Sequence, residues 1–306
     1  MRVVDAEQLR SALPMAAAID ALEDAFRDED PEGAGPIRST IETRAGSLLL
    51  MPAAGERGVG VKLVTLTGSN PAAGLPLIHA AYVLFDPVTQ APLATLDGSA
   101  LTALRTAAVS GLATRYMAKG DARKLVMFGA GVQATAHLEA MAAVRPVAEV
   151  VVVSRTRGSG EHLVEVARSM GLVARTGGPA DVSGADLICT CTTSPTPVVD
   201  GSLLPPGVHL NAVGAYLPDT REVDTETARR ARVVVETREV AAAEAGDVLL
   251  PIAEGAIDAS HIVADLHELA GGASVRQSPQ DVTLFVSVGM AFEDLVVARA
   301  AVEALA

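Results

Sequence analysis

The 306-residue chain contains no tryptophan, and aromatic residues make up only 3 % of it. Its interior must be built from aliphatic side chains, and these are plentiful: the hydrophobic fraction is 49 %. That excludes a disordered protein, and the length suggests about two domains. No apolar run approaches the roughly 18–20 residues that a membrane span needs. The opening Met1-Arg2-Val3-Val4-Asp5 reaches an acid before any apolar core, which argues against a signal peptide. Positive charge is scarce: the formal net charge is −13. A phosphate-backbone or anionic-membrane binder needs the opposite sign, so nucleic acid and membranes are not expected partners. Cys189 and Cys191 are the only cysteines, and their spacing fits neither a zinc site nor a redox motif. They read as small side chains on a buried strand of a reduced, cytoplasmic protein. The histidines show no metal-ligand spacing, so no metal is expected. Only three lysines stand against 21 arginines, which makes a lysine inside an apolar strand conspicuous.

The first third of the chain reads as two helices followed by a mixed or antiparallel sheet. The second helix, Pro14 to about Asp28, carries Ile19, Leu22 and Phe26 at helical spacing. Short apolar runs at 47–52, 59–66, 79–85 and 92–96 are separated by Gly, Pro, Asn and Asp, as strands are. A long helix from about Ser99 to Ala118 follows, with Ser99 as its expected N-cap. Strands then alternate with helices: 124–128, 149–153, 187–190, 208–213 and 233–236. That alternation predicts a Rossmann-type, doubly wound parallel sheet. A last helix, from Ser287 to Ala304, is expected to return to the first domain. The expected fold is therefore α/β, with an NAD(P)-binding domain over 118–285. A discontinuous α+β domain for substrate binding and dimerisation takes 1–117 and 286–306.

Gly129-Ala130-Gly131-Val132-Gln133-Ala134 is a G-x-G-x-x-A match that follows a strand and opens a helix. Gly129 permits the tight turn, Gly131 admits a pyrophosphate, and Ala134 lets helix and strand pack closely. The helix N-terminus offers free N–H groups to the anion. After the second strand, where an NAD site usually carries an acid, the chain reads Ser154-Arg155-Thr156-Arg157. Hydroxyls and guanidiniums suit a 2′-phosphate, so NADPH is expected over NADH. The alternative for Arg155 and Arg157 is solvated loop charge.

Lys62 stands in the strand Gly60-Val61-Lys62-Leu63-Val64. Burying an ammonium there is costly unless it is paired. It reads as a carboxylate ligand or as a snorkelling edge lysine. Arg105, in the small apolar helix Leu101–Ser110, needs an anion too, from a ligand or an internal salt bridge.

These residues together resemble the ornithine cyclodeaminase/mu-crystallin family. The likeness is carried by Leu48-Leu49-Leu50-Met51-Pro52, Gly60-Val61-Lys62, Leu96-Asp97-Gly98 and Leu101-Thr102-Ala103-Leu104-Arg105-Thr106-Ala107-Ala108. The glycine loop, Asn211-Ala212-Val213-Gly214 and the tail 287–294 continue it. The resemblance implies a basic trio for the substrate carboxylate, Arg38, Lys62 and Arg105, with Arg44 a competitor for the first place. It implies a homodimer and a cofactor site at Gly129, Gly131, Val132, Gln133, Ser154, Arg155, Thr156, Thr192, Val213 and Gly214. Family cyclodeaminases carry an aspartate two residues after that last glycine; here Tyr216 stands in its place, as a participant or as a pocket wall. The segment Pro218-Asp219-Thr220-Arg221-Glu222-Val223-Asp224 resembles the ketimine-reductase branch instead. Val286 replaces a lysine common in the family.

Oxidising an amino acid first needs a base, whereas reducing a cyclic imine needs a docked carboxylate and a hydride. The expected activity is NADPH-dependent reduction of pyrroline-2-carboxylate or piperideine-2-carboxylate to L-proline or L-pipecolate. Competing readings are a linear imino-acid reductase or amino-acid dehydrogenase, of alanine or iminosuccinate type, and ornithine cyclodeaminase. A non-catalytic binder of NADPH and a small ligand is a further one. His79 is a candidate for proton relay or for a second carboxylate, or else a structural histidine. Asp281 and Asp294 read as helix-end or inter-domain groups.

Overall fold

The computed structural model describes residues 1–32 and 35–306. It divides into two compact units, Met1–Thr106 with Met290–Ala306, and Ala107–Gly289.

In the first unit a six-stranded sheet runs in the order β1-β6-β5-β4-β3-β2. The strands are β1 (Arg2–Val4), β2 (Ser39–Thr43), β3 (Gly46–Gly55), β4 (Gly58–Leu66), β5 (Ile78–Phe85) and β6 (Pro92–Asp97). β1 lies parallel to β6 and the other pairs are antiparallel. Helices α1 (Ala6–Ala12), α2 (Met15–Asp28) and α10 (Ala291–Ala304) complete the unit with the start of α3 (Gly98–Met117). Met51, Lys62, Tyr82 and Leu96 are aligned across β3 to β6, and all four are buried. α2 turns Ile19, Leu22 and Phe26 inward, and Phe26 meets Phe292 of α10 edge to face with centroids 5.3 Å apart. β1 and β2 were not legible. The first is three residues long, and the second is exposed along its whole length, so neither shows an apolar run. Asp97, not Ser99, caps α3, accepting from Ala100 N–H at 2.9 Å.

In the second unit eight parallel strands run β13-β12-β14-β11-β10-β7-β8-β9. They are β7 (Lys124–Phe128), β8 (Glu149–Val153), β9 (Val173–Thr176), β10 (Leu187–Thr190), β11 (His209–Ala212), β12 (Ala231–Val235), β13 (Ile262–Asp265) and β14 (Val282–Val286). The helices among them are α4 (Val132–Val144), α5 (Arg157–Ser169), α6 (Thr225–Arg230), α7 (Arg238–Glu244), α8 (Gly246–Ala253) and α9 (Leu266–Ala270). The chain runs outward from β7 through β8 to β9, then returns to β10 on the other side of β7. This switch point is where doubly wound sheets open a ligand crevice. β9, β13 and β14 add to the five strands expected there.

The division falls inside α3 rather than at its end. Arg105 pairs within the first unit, whereas Ser110 and Thr114 bond to His137 and His209 of the second. Residues 287–289, expected to begin the last helix, are instead held as a loop by Glu236, which accepts from Ser287 Oγ, Val288 N–H and Gly289 N–H. Among the described residues no helix is long and apolar enough to cross a membrane.

Candidate active site

Two groups of residues carry the candidate chemistry, one in each unit. In the first unit Lys62 lies on the inner face of the sheet and is 1 % exposed. Its Nζ sits 2.9 Å from Asp294 Oδ1 and 2.7 Å from Oδ2. Arg105 donates from Nε to the same Oδ1 at 3.0 Å and from Nη1 to Glu293 Oε2 at 2.7 Å. Burial, and next the Arg105 guanidinium, pull the Lys62 ammonium down to about 8; Asp294 opposes this and Arg38 adds to it. The influence of Arg38, directly before β2, means that the three cations of the expected trio share one electrostatic environment. A carboxylate entering that environment relieves their mutual repulsion. Burial, then the Asp294 charge, push the Tyr82 phenol well above its ordinary value. Its ring lies over Gly60, where a Cβ would collide with it, so the glycine two residues before Lys62 makes room for the tyrosine.

His79 is on the other side of the sheet. It pairs with Thr65, three residues from Lys62, and is exposed. The alternation of strand side chains turns it away from the face that carries Lys62. The reading of His79 as a proton relay or second-carboxylate contact is therefore corrected: the strand forms where it was expected, but this side chain shows its opposite face.

The acids that organise this cluster, Glu293 and Asp294, were not singled out as partners. The signal was present: two adjacent acids between Met290-Ala291-Phe292 and Leu295-Val296-Val297 pose the same burial problem as Lys62.

In the second unit Gly129 has φ +103°, a conformation open to glycine. A Cβ there would strike the Cys191 carbonyl, its carbon lying 2.9 Å away. Gly131 is different. It is the N-cap of α4, has ordinary extended angles, and a Cβ on it would meet nothing within 4 Å. The protein itself gives no steric reason for that glycine. No side chain caps the N-terminus of α4, which leaves its first N–H groups for an anion. Ala134 is fully buried. Val132 is exposed beside the turn, and the Gln133 carbonyl bonds to His137 Nδ1 at 2.8 Å.

At the end of β8, Ser154 Oγ donates to Thr156 O and Thr156 Oγ1 to Ser159 Oγ. Arg157 is tied to Glu161 at 2.7 Å. Arg155 is exposed and makes no hydrogen bond or ion pair among the described residues.

Thr192, Val213 and Gly214 are drawn together by one acid. Glu222 is fully buried and accepts from Thr192 N–H at 2.7 Å, Gly214 N–H at 2.6 Å and Thr190 Oγ1 at 2.7 Å. Val213 N–H approaches it at 3.4 Å. The Pro-Asp-x-Arg-Glu-x-Asp segment thus has a structural role: its glutamate clasps the carboxyl ends of β10 and β11. Asp247 supports the clasp, accepting from Glu222 N–H and Val223 N–H at 2.8 and 2.9 Å, and burial pushes its carboxyl up to about 7. Tyr216 is half-buried against the apolar core of this unit. Cys189 is buried on β10 with its thiol pushed up to about 12 by burial. Val286 is buried on β14.

The chain matches the ornithine cyclodeaminase/mu-crystallin family over residues 2–306. The Delta(1)-pyrroline-2-carboxylate reductase of Bacillus cereus is 35 % identical over 310 aligned positions, covering 98 % of this chain and 95 % of that one. The solved structure of Thermococcus litoralis Delta(1)-pyrroline-2-carboxylate reductase in complex with NADH and L-proline is similar at a TM-score of 0.94. It shares 35 % identity and covers 99 % of this chain and 97 % of that one. An archaeal alanine dehydrogenase dimer with bound NAD reaches a TM-score of 0.91 at 31 % identity, covering 99 % and 95 %.

Proposed function

We propose, from the ornithine cyclodeaminase/mu-crystallin family to which this chain belongs, that it is an NADPH-dependent reductase of a cyclic 2-imino acid. The substrate is pyrroline-2-carboxylate or piperideine-2-carboxylate, and the product L-proline or L-pipecolate. The observation that carries this reading is the buried basic pair of Lys62 and Arg105, anchored on Asp294 and Glu293, with the charge of Arg38 felt at Lys62. Its chemistry is that of carboxylate docking: fixed cations orient an acid without transferring a proton to it. The reductases of Bacillus and Thermococcus support the substrate class.

The bound nicotinamide cofactor supplies the hydride. Gly129, Gly131 and the open N-terminus of α4 would hold its pyrophosphate, and Thr192, Val213 and Gly214 would line it. Arg155, with the Ser154 and Thr156 hydroxyls, would take a 2′-phosphate. Position 216 favours reduction over amino-acid oxidation, because a tyrosine is a poor base for an ammonium near neutral pH.

The face of the first sheet opposite Lys62 supports a homodimer. Ile41 and Leu63 are 49 % and 37 % exposed there, beside half-buried Leu48, Leu50, Val61 and Val83. An apolar face of this kind is what a second copy would cover. The Leu63→Asp variant should sediment as a monomer. The two free thiols fit the reducing cytoplasm.

The test is NADPH oxidation by the purified protein with each cyclic imine, beside NADH and a no-substrate control. Turnover with a cyclic imine is expected, with NADPH preferred. Lys62→Ala and Arg105→Ala should each raise KM and lower kcat. Turnover confined to pyruvate plus ammonia would transfer the assignment to the alanine dehydrogenase reading, which the archaeal structure favours. Tight NADPH binding without turnover across imines would leave a binding protein.

A further inference from the structure

Two adjacent acids, Glu293 and Asp294, stand fully buried in the first turn of α10, next to the buried Phe292, Leu295 and Val296. Burying an ionised carboxylate costs several kcal/mol unless it is paired and hydrogen-bonded. The pairing here is unequal. Asp294 Oδ1 receives both the Lys62 ammonium, at 2.9 Å, and the Arg105 Nε–H, at 3.0 Å. One carboxylate thus sets the separation of two cations borne on a strand and a helix more than 40 residues apart in the chain. Glu293 takes the Nη1 corner of the same guanidinium and fixes its rotation.

We propose that Asp294 is the positioning residue of the substrate-carboxylate anchor, holding Lys62 and Arg105 at one separation and supplying the negative charge that allows two like charges to stay side by side. Glu293 assists by orienting Arg105. This rests on the reductase reading, because it assigns the anchor its ligand. A carboxylate arriving at such a pair meets donors that are already aligned, so less ordering opposes binding.

The groups facing Lys62 allow the charge balance to be followed. Arg105 from α3 and Arg38 from before β2 repel its proton, and Asp294 from α10 retains it. Tyr82 from β5 is aligned with it, kept neutral by burial. Met51 and Leu96, aligned with it on β3 and β6, are apolar. Removing the Asp294 charge leaves burial and two cations acting together, so Lys62 should lose its proton at a lower pH.

The chain's lysine scarcity makes this directly measurable. Selective labelling at lysine Cε yields three resonances, from Lys62, Lys119 and Lys124. In the Asp294→Asn variant, the Lys62 titration should move down by one pH unit or more while the other two stay in place. With pyrroline-2-carboxylate as substrate, KM at pH 7.5 should rise roughly 10- to 100-fold with kcat changed less, and the basic limb of kcat/KM should move acidward. NADPH affinity should stay within about twofold. Lys62→Arg in the Asp294→Asn background should return the basic limb to higher pH, since a guanidinium keeps its proton. An unmoved Lys62 titration with a wild-type KM would overturn the proposal, as would a basic limb that Lys62→Arg does not shift. Should Asp294→Asn not fold, Glu293→Gln is read the same way: a higher KM supports the anchor and a wild-type KM overturns it. Absence of turnover in the wild-type protein would indict the reductase reading instead, and the lysine titration would still report on Asp294.

Discussion

Alanine at Gly129 and at Gly131, two residues apart in one loop, should have opposite consequences. At Gly129 the methyl meets a backbone carbonyl, that of Cys191, and the φ of +103° is one that side chains rarely adopt. Left-handed backbone alone costs about 1–2 kcal/mol, and displacing the end of a central strand adds a similar amount. A loss of about 3 kcal/mol corresponds to roughly 6–12 °C in Tm for a domain of this size. At Gly131 the backbone is ordinary and the space is open, so alanine should change stability by less than about 1 kcal/mol. The same methyl would stand where a pyrophosphate approaches the helix, and NADPH affinity should fall roughly 10- to 100-fold, about 1.4–2.8 kcal/mol. The chain has no tryptophan, so calorimetry is the suitable assay: scanning for Tm, titration for Kd. Gly131→Ala binding NADPH as tightly as the wild type would refute the reasoning. So would Gly129→Ala with an unchanged Tm.

Three further substitutions probe the second unit. Arg155→Ala should weaken NADPH by about 1.5–3 kcal/mol and leave NADH unchanged; equal losses would remove the 2′-phosphate assignment. Glu222→Gln sets an NH2 group against donors that now share a carboxylate, leaving at least one buried N–H without an acceptor. It should cost about 2–4 kcal/mol in urea unfolding, and a cost below about 1 kcal/mol would contradict its role as a clasp. Asp247 is pushed up to about 7 from 3.8, so between those values the folded protein holds a proton that the unfolded chain has released. Its contribution is therefore fully present below about pH 4 and is lost as pH rises through 7. Asp247→Asn should gain stability relative to wild type across that window, by roughly 2–4 kcal/mol at pH 8. His137 and His209, held neutral by burial down to about 4 and about 3, tilt the window the other way in both proteins. An identical pH profile for the variant would show that Asp247 is ionised throughout.

Some features were legible because they are local. The strands at 124–128 and 149–153 are each one charged residue followed by four apolar ones, and both are found at those limits. The glycine loop between the first of them and α4 is a short-range pattern whose parts act within six residues. The family likeness follows from such local strings. Lys62 and Arg105 stood out because a charged group in an apolar stretch signals a partner, wherever that partner is.

Where the partner lies is a different kind of information. Lys62 and Asp294 are 232 residues apart, and only the packing of α10 on the sheet brings them to 2.7 Å. His79 shows the same limit at shorter range: a strand reads the same in either register, and its pairing with Thr65 decides which face it shows. Glu222 sits in a segment that looks like a polar loop, and its burial appears only once β10 and β11 end beside it. The sequence by itself determined which elements form and which side chains would need a counter-charge, because propensity and desolvation act on each residue where it stands. Only the tertiary structure decided which acid answers which cation, because that depends on distances closed by the whole fold.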